Sequence, residues 1–145
     1  MKVKCIANRH RDLHKELQEY YGIRSDLDIK AADITVGNEY VVYGIAVLKN
    51  HNVFLVCGDI YDEKNIVYPN YVFHGFFEII DPRVSSFWVT KQIVKNVDTP
   101  FVAIGLIEFF DEPPEFHMNL TDNISPDMER FIELKEKLDN EFNVD

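Results

Sequence analysis

The chain has 145 residues, 46% hydrophobic and 13% aromatic, which excludes a disordered polymer and supplies enough apolar side chains for one domain with a real core. Its formal charge of −10 is unevenly spread: residues 108–145 hold three Lys/Arg against twelve Asp/Glu, whereas residues 1–30 hold seven against five. Such a field repels nucleic-acid phosphates and anionic membranes and attracts a basic protein, so neither nucleic acid nor membrane is expected as a partner.

Lys2–Ala7 reads as a short strand, and Met1-Lys2-Val3-Lys4-Cys5 resembles no signal peptide; no run approaches a membrane span, so the expected compartment is the cytoplasm. Asn8 is placed to cap a helix from about Arg9 to Tyr20, stopped by Gly22, with Leu13, Leu17, Tyr20 and Tyr21 on one side. Ser25–Asp33 is polar and reads as a loop. Two apolar runs follow, Tyr40–Leu48 and Val53–Cys57, separated by Lys49-Asn50-His51-Asn52, the length and composition of a hairpin loop. Strict alternation would put Tyr40, Val42, Ala46 and Leu48 on one face and Val41, Tyr43, Ile45 and Val47 on the other. Both faces are apolar, as in a central strand covered on two sides, and Gly44 suggests a bulge or bend.

In Val67–Phe73, Pro69 restricts any strand to an edge, or makes a short turn. Phe76–Ile80 is a further strand ended by Asp81-Pro82. Phe87–Val94 suits strand or helix, with Trp88 and Val89 favouring strand, and Phe101–Phe110 reads as one long strand bent at Gly105. Asp111–Asn123 reads as a loop. Ser125-Pro126-Asp127 is a helix opening, with Ser125 as N-cap and Pro126 at the first helical position. Phe131, Leu134, Leu138 and Phe142 then form an apolar stripe, with Glu129, Glu133, Glu136 and Asp139 elsewhere. These elements make a single α+β domain over residues 1–145. The expected core is a strongly bent antiparallel sheet of five or six strands, an SH3-like small barrel or half-barrel, with an N-terminal and a C-terminal helix.

Motifs that carry chemistry are few. His10 and His14 have the i, i+4 spacing of paired metal ligands on one helix face, but Arg11 stands where HExxH has its glutamate, so a solvated helix face is favoured over a metal site. His10-Arg11-Asp12-Leu13 matches a kinase catalytic loop without the glycine loop, lysine or DFG that would give it meaning. Cys5 and Cys57 have no metal or catalytic spacing and read as buried thiols. Neither an enzyme activity nor a cofactor is indicated. Two acidic groups remain. Asp59, Asp62 and Glu63 follow the hairpin, and Glu108, Asp111, Glu112 and Glu115 are interleaved with Phe109, Phe110 and Phe116. Acid around exposed aromatics suits docking on a basic cleft; alternatively the phenylalanines are core and only the charges lie outside.

Several stretches taken together, Lys4-Cys5-Ile6-Ala7-Asn8, Val36–Ile45, Tyr68-Pro69, Phe77–Arg83, Trp88 and the acidic last helix, resemble a group of small single-domain bacterial proteins similar to the immunity partners of polymorphic or contact-dependent growth inhibition toxins. The resemblance implies a cytoplasmic, non-enzymatic protein that binds one cognate toxin domain, and the acidic skew agrees with a basic, nuclease-type toxin. Two other readings stand beside it. One is a small enzyme or ligand-binding barrel with a pocket lined by Tyr43, Tyr68, Tyr71 and His74; the other is an SH3-like adaptor with an aromatic peptide groove.

Overall fold

The two apolar runs at the centre of the sequence pair as an antiparallel hairpin. In the computed structural model, which describes residues 1–20, 30, 33–48, 51–59, 68–93, 101–110 and 115–142, they form β2 (Glu39–Val47) and β3 (Asn52–Cys57). The Leu48 N–H donates to the His51 carbonyl at 3.0 Å and closes the turn. Ahead of the hairpin lie β1 (Lys2–Cys5), a 3-10 turn at His10–Asp12 and α1 (Lys15–Tyr20). After it come β4 (Pro69–Phe73), β5 (Phe77–Asp81), β6 (Val89–Ile93) and β7 (Phe101–Gly105), then α2 (Glu115–Thr121) and α3 (Asp127–Phe142). The fold is α+β, an antiparallel sheet of seven strands with C-terminal helices.

β2 is long enough to take two neighbours along one edge. Its first half pairs with β1, Val41 opposite Lys2, and its second half with β7, Gly44 opposite Gly105; β3 occupies the other edge. β5 extends the first branch, β6 the second, and β4 lies outside β3 as the edge strand that Pro69 requires. The sheet therefore forks. Among the described residues β4, β5 and β6 are each paired on one side only, so the expected closure into an SH3-like barrel or half-barrel is not made. Dividing one edge of β2 between two branches spreads the strands instead of bringing the outer ones round to meet.

The fork coincides with a bulge. Val42 lies opposite Val56 and Gly44 opposite Leu55, so β2 carries one extra residue, Tyr43. The bulge at Gly44 is as expected, but it also reverses the alternation beyond it. Ile45 packs with Tyr40 and Val42 in one core, and Val41 and Tyr43 pack in the other. Strict alternation had placed Ile45 with Tyr43; the inserted residue shifts every later side chain to the opposite face.

The two faces hold separate cores. One gathers Val3, Cys5, Leu13, Ile34, Val42, Phe54, Val56 and Phe76, with Leu17 of α1 against it. The other lies under the C-terminal helices and gathers Leu55, Leu106, Phe109, Phe116, Leu120 and, from α3, Phe131, Leu134 and Leu138; Phe142, the last of the α3 stripe, is buried as well. Trp88 touches both. The loop before it is tied to the end of α3: the Ser85 hydroxyl and the Ser86 N–H donate to Glu141 at 2.5 and 2.8 Å, and the Arg83 guanidinium lies 5.4 Å above the Phe142 ring.

Three elements depart from expectation. The N-terminal helix is broken, because Leu13 is extended (ψ 147°) between the 3-10 turn and α1; Asn8 caps nothing and instead donates to the Ile34 carbonyl at 3.1 Å. The strand from Phe101 stops at Gly105, and Ile107–Phe110 turns as a 3-10 helix that buries Phe109 and Phe110. Within Asp111–Asn123, read as loop, Phe116 and Leu120 stand four apart and are drawn into the core as α2. At the start of α3 the Ser125 hydroxyl donates to the Glu129 carboxylate at 2.7 Å, and Pro126 precedes the helix, its carbonyl accepting from Arg130 N–H at 3.0 Å. Tyr21, Gly22 and most of the Ser25–Asp33 loop lie outside the described residues.

β7 approaches the bulge so closely that a Cβ on Gly105 would stand 2.6 Å from the Gly44 Cα and 2.8 Å from the Tyr43 carbonyl oxygen. A Cβ on Gly44 would meet nothing nearer than 3.5 Å. Gly105→Ala is expected to cost about 1–3 kcal/mol or more through overpacking, and Gly44→Ala less than about 1 kcal/mol. Urea unfolding of the two variants in parallel checks this, and equal losses would refute the close approach.

Candidate functional site

Where β3 leaves β2, the chain opens. Pairing between them ends at Val42 and Val56, Cys57 pairs with Pro69 of β4 instead, and Gly58 and Asp59 diverge from Glu39–Val41. A cavity of about 360 Å³ lies in this fork, walled by Tyr40, Tyr43, Cys57 and Asp59 and, from α3, by Lys135 and Asp139; Lys2 and Glu39 stand at the strand start. Gly58 is required on this wall, since a Cβ there would lie 2.6 Å from the Asp33 carbonyl oxygen, which also accepts the Asp59 N–H at 2.6 Å.

The polar groups of the cavity are arranged in pairs. The Tyr43 hydroxyl donates to Asp139 at 2.7 Å, across the whole C-terminal half of the chain, and Lys135 Nζ donates to the other oxygen of Asp139. The Tyr43 ring also meets Phe131 edge-on at 5.7 Å, so one side chain fixes α3 to the bulge by packing and by a charge-assisted hydrogen bond. On the opposite side the Tyr40 hydroxyl accepts the Thr35 N–H at 2.8 Å and donates to Asp59 at 2.6 Å, and Asn38 donates to Asp59 at 3.4 Å. Lys2 pairs with Glu39 at 3.0 Å.

These surroundings set the protonation states. Burial, with the neighbouring Cys57 and the Asp139 charge, pushes the Tyr43 phenol upward, so it remains a donor. Burial also pushes the Cys57 thiol up to about 12, against the pull of Lys135, which leaves a neutral thiol rather than a nucleophile at neutral pH. Asp59 feels burial too, but hydrogen bonds from Tyr40, Thr35 and Asn38 outweigh it and hold the carboxyl below its ordinary value.

Of the acidic residues singled out in the sequence, Asp59 lies in this cavity. Glu108 is largely covered and held by Arg130, whose Nε and Nη2 donate to it at 3.1 and 2.9 Å; Glu115 is exposed in the first turn of α2. Asp62, Glu63, Asp111 and Glu112 lie outside the described residues. Phe109, Phe110 and Phe116, interleaved with the second group, are buried in the core beneath α3, so no aromatic docking face is made of them. The outer face of α3 carries exposed Glu129, Glu133 and Glu136 beside Ile132, which is 50% exposed, together with exposed Lys137 and Arg130, the latter paired with Glu133 at 3.5 Å.

Of the four residues suggested as a tyrosine-lined pocket, His74 stands apart from the tyrosines. Tyr43 and Tyr68 pack on the helix-covered core, Tyr71 lies against His117 with ring centroids 5.5 Å apart, and His74 lies against Phe54 of the opposite core. Nor do His10 and His14 share a helix face: His10 stacks on Phe76 at 5.5 Å, ahead of the break at Leu13. Among the described residues no three His, Cys, Asp or Glu groups are placed to hold a metal ion. Cys5 and Cys57 are free. The sequence reading missed Tyr40, Lys135 and Asp139 as cavity residues; the available signal was the i, i+4 spacing of Lys135 and Asp139 beside Leu138 on the buried stripe.

Among the described residues no helix is long and apolar enough to cross a membrane. Comparison of the chain with protein-family models, with curated proteins and with solved structures gives no match.

Tyr43→Phe removes the donor to Asp139 while keeping the ring, and is expected to lower stability by about 1–3 kcal/mol in denaturant unfolding; Tyr71→Phe, whose side chain is half exposed, is expected to change it by less than about 0.5 kcal/mol. His117 gives a pH test. Burial lowers its value from 6.5, and among the described residues its buried Nδ1 has no hydrogen-bond partner. The unfolded chain therefore takes up the proton first, and stability should fall as pH drops below 6.5. His117→Phe is expected to flatten that part of the stability profile; an unchanged slope between about pH 5 and 7 would refute the assignment.

Proposed function

We propose that this chain is a cytoplasmic, non-enzymatic immunity protein that neutralises a cognate basic, nuclease-type toxin domain by covering its active site with an acidic surface. The support is the outer face of α3, where exposed Glu129, Glu133 and Glu136 lie beside exposed Ile132, with Glu133 paired to Arg130 at 3.5 Å. An apolar contact flanked by an excess of carboxylates suits a fast, specific inhibitor of a basic cleft. The carboxylates steer the encounter, and the isoleucine supplies area that excludes water once the surfaces meet. Glu115 of α2 and the neighbouring Asp111 and Glu112 extend the same acidic sequence region. The buried phenylalanines shape this surface from below by holding α2 and α3 on the sheet. They do not contact the partner.

Co-expression with whatever protein is encoded immediately upstream tests the reading. Rescue of growth and a co-purifying complex are expected, with affinity that falls as salt rises. Glu129→Lys, Glu133→Lys and Glu136→Lys combined should slow association about 10- to 100-fold at low salt. A complex whose association rate is unmoved by this reversal would place the interface elsewhere, and no rescue with no complex would overturn the function.

A further inference from the structure

We infer that the fork cavity between β2, β3 and α3 is a binding site for a cationic nitrogen group, a guanidinium or an ammonium. Three observations lead there. First, among the described lining residues both cations are already engaged, Lys2 with Glu39 and Lys135 with Asp139. Among these residues three carboxylates against two lysines leave one negative charge over, and it resides on Asp59. Among the described residues the hydrogen bonds to Asp59 come from neutral donors, Tyr40, Thr35 and Asn38. Second, both tyrosine hydroxyls turn their protons onto carboxylates. What they leave available to a guest is oxygen lone pairs, as do the carboxylates themselves. The lysines keep further N–H donors, but each lies beside a carboxylate that balances its charge, so a guest bringing donors and positive charge complements the remaining oxygen lone pairs and the unbalanced carboxylate. Third, the cavity is held in shape from both sides. Tyr40 is fixed by Thr35 N–H above Asp59, and Tyr43 by Phe131 and Asp139. A pre-formed set of acceptors is what selects a planar, many-donor cation.

Its volume of about 360 Å³ is at the small end of ligand pockets and admits a single side chain or a small amine. The hydrogen bonds that hold Asp59 below its ordinary value keep it ionised at neutral pH. Cys57, a neutral thiol there, contributes wall but no charge. Two sources share the required chemistry: an arginine or lysine of a bound protein, and a free amine.

The test is a titration of the ¹⁵N-labelled protein with N-acetyl-arginine amide, with the citrulline analogue as the uncharged isostere. Saturable shifts of the Tyr40, Gly58 and Asp59 amides are expected with the arginine probe, at least tenfold weaker with the citrulline one. Asp59→Asn should weaken the arginine probe at least tenfold as well. The citrulline comparison uses the natural protein and decides the matter even if that variant unfolds. Equal response to the two probes, or no saturable response, would overturn the site. Repeating the titration with the proposed toxin partner bound separates the sources. Exclusion of the probe identifies a side chain of the partner as the occupant, and undiminished binding identifies a free amine. The first arm needs no partner, so its outcome is independent of the immunity reading.

Discussion

One inserted residue governs this molecule. Tyr43 is the extra residue of β2, and around it the strand changes partner on one edge, from β1 to β7, and changes the face that each later side chain presents. The backbone of β7 can reach that point only because Gly105 meets Gly44 with no side chain between them. A bulge normally bends a strand and sharpens its twist. Here it also lets a single nine-residue strand serve two branches of a sheet and two cores.

The displaced side chain then does a second task. Because Tyr43 points under α3, its ring rests on Phe131 and its hydroxyl reaches Asp139, joining the early hairpin to the last helix. Glu141, the penultimate residue of that helix, is held by Ser85 and Ser86 of the loop that precedes β6. Contacts of such long sequence separation close large loops, and they stand only because the burial of Phe131, Leu134, Leu138 and Phe142 offsets the ordering of the chain between them. Packing holds α3 down, and the polar links fix where along the sheet it sits.

The fork and the acidic helix face follow from the same arrangement. As β3 turns away to pair with β4, it leaves Asp59, bonded to the Tyr40 hydroxyl, beside a gap that α3 also lines with Lys135 and Asp139. Further round α3 the carboxylates have no core beneath them and remain in solvent. One helix thus contributes its apolar stripe to the core, its flank to the cavity and its outer face to a charged surface.

Much of this was legible in the chain itself. The hairpin, the edge position that Pro69 imposes, the strand at Phe77–Asp81, the bulge at Gly44 and the buried stripe of α3 are local consequences of β-branched runs, proline, glycine and helical spacing. So is the concentration of acid in the last quarter. Tertiary structure alone decided the rest. Whether β7 would continue or turn at Gly105, whether Phe109, Phe110 and Phe116 would face solvent or core, and whether the sheet would close or fork depend on which strand takes the free edge of β2. Pairing partners distant in sequence leave no periodic mark. The same holds for Asp139, whose spacing places it off the apolar stripe but which Tyr43, ninety-six positions earlier, draws into the cavity. Local pattern sets what each segment can be; which surfaces meet is fixed by the competition among segments for one shared strand.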